Sequence, residues 1–149
     1  MRTEFSLMRS LLDVNVLIAL LDADHTSHRA ATDWFVEHAR NGWASCPITQ
    51  NGCVRIMSHP SYPNGRSVSQ VVERLRAATA TDAHQFWTDD VSLLDDHVID
   101  SRRVHGPRQL TDAYLLALAV AHDGRLVTFE RGIPSSAVVG AKPRHVIVL

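Results

Sequence analysis

"QLTDAYLLALAVAHDGRLVTFE", residues 109–130, carries two periodicities in one stretch. From Gln109 to Asp123 apolar side chains run nearly all round a helical wheel, which fits a helix with no face left to water. Gly124 falls at the position where a helix commonly takes its left-handed terminating residue. Arg125 to Glu130 then reads as a β-strand of branched and aromatic residues. A buried helix leading straight into a strand predicts an α/β domain. The polar groups at its ends, Thr111 and Asp112 at the start and Glu130 at the close, need partners of their own.

The N-terminal part repeats the pattern in reverse order. In "LLDVNVLIALLD", residues 11–22, Asp13 separates a short apolar strand, Arg9 to Leu12, from a short apolar helix, Val14 to Leu21. Two readings of Asp13 stand side by side: an N-cap of that helix, a role Asp favours, or a metal ligand at a strand end. Further along, His28 to Ala39 reads as an amphipathic helix and Trp43 to Cys46 as a strand. A helix opens at Pro47, which suits a first turn, and runs towards His59. SHPSYPNG is a loop, Ser67 or Ser69 starts another helix, and Ala83 to Trp87 is a third strand. DDVSLLDDHVIDS, residues 89–101, is expected to be helical, and His145 to Leu149 is a final strand. This alternation predicts a three-layer α/β/α domain with a mostly parallel central sheet.

Length and composition agree with one domain over residues 1–149. The chain is 45% hydrophobic and 21% charged, enough for one core and too short for two ordinary ones. Met8 is an alternative start, so residues 1–7 are left out of the fold reading. No apolar run approaches the roughly 18 residues that argue a membrane span, and a cytoplasmic location is expected. Cys46 and Cys53 match no zinc or redox spacing and read as small buried hydrophobes. Net charge is −1, so any nucleic-acid contact rests on a local patch rather than on overall charge.

On this fold the acidic residues converge. Asp13 and Glu130 lie at the carboxyl ends of strands, where open α/β sheets bind ligands, and Asp112 lies in the first turn of the buried helix, with Thr111 as its expected cap. Three carboxylates at one edge repel one another, and a hard divalent cation, Mg²⁺ or Mn²⁺, resolves the repulsion. A haloacid-dehalogenase-type phosphatase also begins with an Asp at a strand end, but it needs a second Asp two residues on, and Asn15 stands there.

The stretches LLDVNVLIALLDADHTSH, CPITQNGCVRIMSHP, QLTDAYLLALAV and RLVTFERG, in this order along nearly the whole chain, resemble those of PIN-domain ribonucleases, in particular VapC toxins of the mycobacterial type. The resemblance implies a PIN-like fold, Mg²⁺- or Mn²⁺-dependent cleavage of structured RNA (tRNA or rRNA), a homodimer, and a VapB-type antitoxin that silences the enzyme. It places the catalytic acids at Asp13, Asp112 and Glu130, the last commonly Asp, with Asn15 beside the first. The family's remaining acid falls on Gln50, which keeps an oxygen and loses the charge. That loss leaves room for an alternative, a PIN-fold module that only binds RNA or a partner protein. Asp13, Asp112 and Glu130 are the expected metal ligands; Asn15 and Thr111 are expected to hold them in place, and Thr128 to orient Glu130 or a water. Arg102, Arg103, Arg108 and Arg131 flank the site in sequence and are the candidate RNA contacts. Arg55, among apolar neighbours, is expected to pair internally, and His25 and His28 are read as capping or packing residues.

Overall fold

The computed structural model describes residues 8–149, so the question of a start at Met1 or Met8 lies outside the described residues. Five parallel strands form one sheet: β1 (Ser10–Leu12), β2 (Trp43–Ser45), β3 (His84–Phe86), β4 (Arg125–Thr128) and β5 (Val146–Val148), in the spatial order β3-β2-β1-β4-β5. Helices α1 (Val14–Leu21), α2 (His28–His38), α3 (Pro47–Met57), α4 (Val68–Thr79) and α5 (Leu110–Ala121) complete the three layers. The period of two along each strand sends neighbouring residues to opposite faces. Leu11, Ala44 and Leu126 therefore pack against α5, while Leu12, Trp43 and Val127 pack against α1, α3 and α4. Each face owns a separate core, and the three central strands are buried on both sides, as a parallel sheet requires.

The helix starts follow local chemistry. Ser67 caps α4, accepting from the Gln70 backbone N–H at 3.1 Å, while Gln70 Oε1 accepts from the Ser67 N–H at 2.8 Å. This reciprocal box selects Ser67 over Ser69. Pro47 occupies the first turn of α3. For α5 the expected cap fails: the helix is entered through a 3-10 turn, Pro107–Gln109, its N-cap is Gln109 without a side-chain bond, and Thr111 lies exposed inside the first turn.

At the other end of α5 the chain departs from expectation by one residue. Asp123, not Gly124, adopts the left-handed conformation, with φ 54°. Its N–H donates to the Val120 carbonyl at 3.1 Å and the Gly124 N–H to the Ala119 carbonyl at 2.8 Å, the paired bonds of a Schellman ending. Gly124 serves another purpose. A Cβ there would stand 2.6 Å from the Arg9 carbonyl oxygen and 2.7 Å from Trp87 Cη2, so glycine is what lets β4 begin against β1.

Residues 89–101 are not helical as expected. They form turns and one antiparallel bridge, Ile99 to Val138, before a short 3-10 turn, Ser101–Arg103. The reason lies in the polar residues between the apolar ones. Ser92 Oγ accepts from the Leu94 N–H at 3.1 Å, Asp95 Oδ1 from His97 at 2.9 Å and Asp100 Oδ1 from Arg102 at 3.2 Å. Side chains that take backbone donors in this way offer the chain an alternative to helix.

Candidate active site

The carboxyl ends of β1 and β4 lie side by side, and Asp13 follows the first of them. Its side chain is 6% exposed and uses both oxygens. Oδ1 accepts from the Val14 N–H at 2.7 Å, the capping role, and Oδ2 accepts from Thr128 Oγ1 at 2.8 Å. The same Thr128 oxygen accepts the Glu130 N–H at 3.0 Å. Thr128 therefore holds Asp13 by its side chain and turns the chain at Glu130, which sits two residues beyond the end of β4 rather than on it. Thr128→Val keeps the shape and removes the hydroxyl. It should lower any activity that depends on Asp13 by roughly 10–100-fold, measured as initial rate at saturating Mn²⁺.

Burial raises the carboxyl pKa of Asp13 and the charge of Glu130 raises it further, against the lowering effect of the Thr128 and Val14 hydrogen bonds. Asp112, in the first turn of α5, is pushed up to about 6, by burial first and then by the charges of Asp13 and Glu130. The fold thus brings Asp13, Asp112 and Glu130, from three distant segments, into mutual repulsion at one sheet edge. Among the described residues none of the three takes part in a salt bridge. Also among the described residues, no group of three His, Cys, Asp or Glu side chains stands where it could hold a metal ion.

Gln50, in the first part of α3, is held by Ser45. Its Nε2 donates to Ser45 Oγ at 2.9 Å, Ser45 Oγ lies 2.8 Å from His84 Nε2, and Gln50 borders the groove between α3 and α4 with Val72, Leu75 and Arg76. Ser45 Oγ thus accepts from the Gln50 amide and meets the His84 ring on its other side. Burial, and next the Arg9 charge, lower the His84 pKa.

The remaining predicted residues are spread around this edge. Asn15 and Thr111 are exposed and make no side-chain hydrogen bond among the described residues. Arg102 and Arg103 pair with Asp100 at 3.0 and 3.5 Å. Arg108 and Arg131 are exposed and make no ion pair among the described residues. Arg55, expected to pair internally, is instead exposed and lines a surface pocket. Its place on α3, opposite the buried Thr49 and Cys53, turns it outward. His28 Nδ1 lies 2.7 Å from the Ala19 carbonyl oxygen, a packing contact. One acid was not singled out from sequence: Asp89, beyond the end of β3, whose pKa is raised by burial and by the charge of Asp90. Its position just after AHQFW is the signal that could have marked it.

The PIN domain family matches residues 10–138. The chain is a PIN-domain protein. This PIN domain is closely related to mycobacterial VapC proteins. It is 56% identical over 142 residues to Ribonuclease VapC44 of Mycobacterium tuberculosis (strain H37Rv), covering 95% of this chain and 100% of that protein. It is 44% identical over 134 residues to Ribonuclease VapC39 of the same strain, covering 89% and 96%. In fold it matches a chain from the crystal structure of VapBC2 from Rickettsia felis bound to a promoter DNA fragment, with TM-score 0.57, 13% identity, and coverage of 95% of this PIN domain and 99% of that chain. No helix among its described residues is long and apolar enough to cross a membrane.

Proposed function

We propose that this PIN domain is a divalent-metal-dependent endoribonuclease toxin. It cleaves structured RNA, tRNA or rRNA, in the cytoplasm, works as a homodimer, and is silenced by a VapB-type antitoxin. The observation that carries this reading is the electrostatic coupling of Asp13, Asp112 and Glu130 at the carboxyl edge of β1 and β4. The relationship to Ribonuclease VapC44 along that protein's full length supports it.

By chemistry the donor set suits a hard cation, which would have to draw the three groups closer than they stand. All three groups offer oxygen, none is neutralised by Arg or Lys among the described residues, and their mutual repulsion favours any doubly charged ion that draws them together. Asp13, Asp112 and Glu130 would hold Mg²⁺ or Mn²⁺ there. When bound, the ion would polarise a phosphate oxygen and lower the pKa of a water. The protein's own part is orientation. Thr128 and the start of α1 fix the two oxygens of Asp13, and the buried body of α5 fixes the backbone of Asp112. Arg108 and Arg131, exposed beside the edge, are the cations most available to RNA phosphates.

Incubation of the purified protein with total RNA tests this reading. Discrete fragments should form with Mn²⁺ and disappear with chelator or in Asp13→Asn. RNA bound but left intact with Mn²⁺ would replace the nuclease by the binding module, an alternative supported by the lack of a ready three-ligand group among the described residues. Gln50 supplies a second check. Because its amide is bonded to Ser45, Gln50→Glu should leave the Mn²⁺-induced rise in melting temperature equal to that of the parent. A larger rise in the variant would bring Gln50 into the metal site.

A further inference from the structure

We propose that the pocket at the far end of α3 binds a nucleoside phosphate, with the phosphate at Arg55 and His59 and the base against Tyr62. The pocket, about 400 Å³, is lined by Arg55, Ile56, His59, Ser61, Tyr62 and Pro63. That volume lies within the usual range for small-ligand sites. It is separate from the acid edge. Helix α3 starts just past the carboxyl end of β2, and its eleven residues carry the chain roughly 16 Å away.

Three features select the ligand. The first is the donors. His59 Nδ1 accepts from the Ser61 N–H at 3.1 Å and lies 2.7 Å from Ser61 Oγ, so Nε2 carries the ring proton and is left as a donor. Arg55 makes no hydrogen bond or ion pair among the described residues. Two donors at one pocket with no acidic residue in its lining suit an anion, and a guanidinium suits the oxygens of phosphate.

The second feature is the ring. Tyr62 donates its hydroxyl to Asp22, and the Arg66 guanidinium lies 5.7 Å from the ring centroid. Held at both places, the ring is a fixed platform, and bases stack on such rings irrespective of sequence. The third is rigidity. Asp22 is 4% exposed and pairs with Arg66 at 3.3 Å, while Asn64 Nδ2 donates to Asp24 at 3.1 Å, so the loop that forms the pocket wall is tied to the end of α1. The Asp22 charge, the carboxylate nearest the ring, is thereby already matched.

This site goes beyond the nuclease reading and does not depend on it. NMR titration of the ¹⁵N-labelled full chain in chelator, with AMP, adenosine and inorganic phosphate, tests it. AMP should shift the Arg55, His59 and Tyr62 signals and bind about tenfold more tightly than either fragment, and Arg55→Gln should weaken AMP about tenfold with an unchanged melting temperature. Shifts confined to the Asp13 and Asp112 end would overturn the proposal, as would phosphate binding as tightly as AMP, which would make this an anion site only. A short peptide with adjacent Glu and Phe competing as well as AMP would overturn it too. A short RNA that displaces AMP would assign the pocket to an RNA strand, and one that does not would assign it to free nucleotides; both outcomes keep the site. Failure to cleave RNA while AMP binds would remove the nuclease reading and leave this one standing.

Discussion

Asp112→Asn is expected to abolish RNA cleavage and, in the same protein, to raise thermal stability when metal is withheld. The loss should be at least roughly 10²–10³-fold, the scale seen when a group that stabilises transition-state charge is removed. The gain follows from the sign of the pKa shift. The carboxyl of Asp112 is raised from 3.8 to about 6 on folding, chiefly by burial and then by its acidic neighbours. The folded state therefore holds this proton more tightly than the unfolded state, and stability falls as pH rises through that interval. The penalty is absent below about pH 4 and complete above about pH 6. An asparagine escapes it. In chelator the variant should melt above the parent at pH 7 and coincide with it near pH 4, and with Mn²⁺ the order at pH 7 should reverse. A melting curve that responds equally to pH in both proteins would show that folding does not raise the Asp112 carboxyl.

The second large effect is expected at Gly124, from sterics alone. Alanine there would place a carbon 2.6 Å from a backbone oxygen of the strand that β4 must join. Backbone cannot swing aside as a side chain can, so β4 must shift against β1 or Trp87 must leave its place. Overpacking of this kind costs about 1–3 kcal/mol and sometimes more, and Gly124→Ala should fall at the upper end, read as a lower urea midpoint. Asp123→Gly should move the midpoint the other way by a smaller amount, since the left-handed conformation costs a side chain roughly 1–2 kcal/mol and part of that gain is spent on a more flexible unfolded chain. Equal and small effects at both positions would mean that the close approach at Gly124 is relieved without cost.

Much of this architecture is legible in the residues. Helix α5 and strand β4 announce themselves because burial on all sides leaves an unmistakable apolar run, and the convergence of Asp13, Asp112 and Glu130 follows from the parallel topology. What periodicity cannot show is how individual polar side chains choose among neighbours. Val91, Leu94 and Val98 have helical spacing, but Ser92, Asp95 and Asp100 capture backbone donors and hold the segment in turns. Gln50, where the resemblance places an acid, spends its amide on Ser45 and borders α4. Arg55 sits among apolar letters in the sequence and on the open side of the helix in space. The bond between Thr128 and Asp13 joins residues 115 apart and has no local trace at all.

That last separation has a consequence for how the protein is made. The acid edge does not exist until β4 lies beside β1, and β4 begins at Arg125 in a chain of 149 residues. During synthesis, then, Asp13 emerges first and waits for a hydroxyl that follows 115 residues later. A polypeptide that stops between Thr79 and Thr128 contains the residues of α1 through α4 and lacks both Thr128 and Glu130. The setting of Asp13 is therefore a joint property of β1 and β4, and a fragment that stops short of Thr128 does not have it.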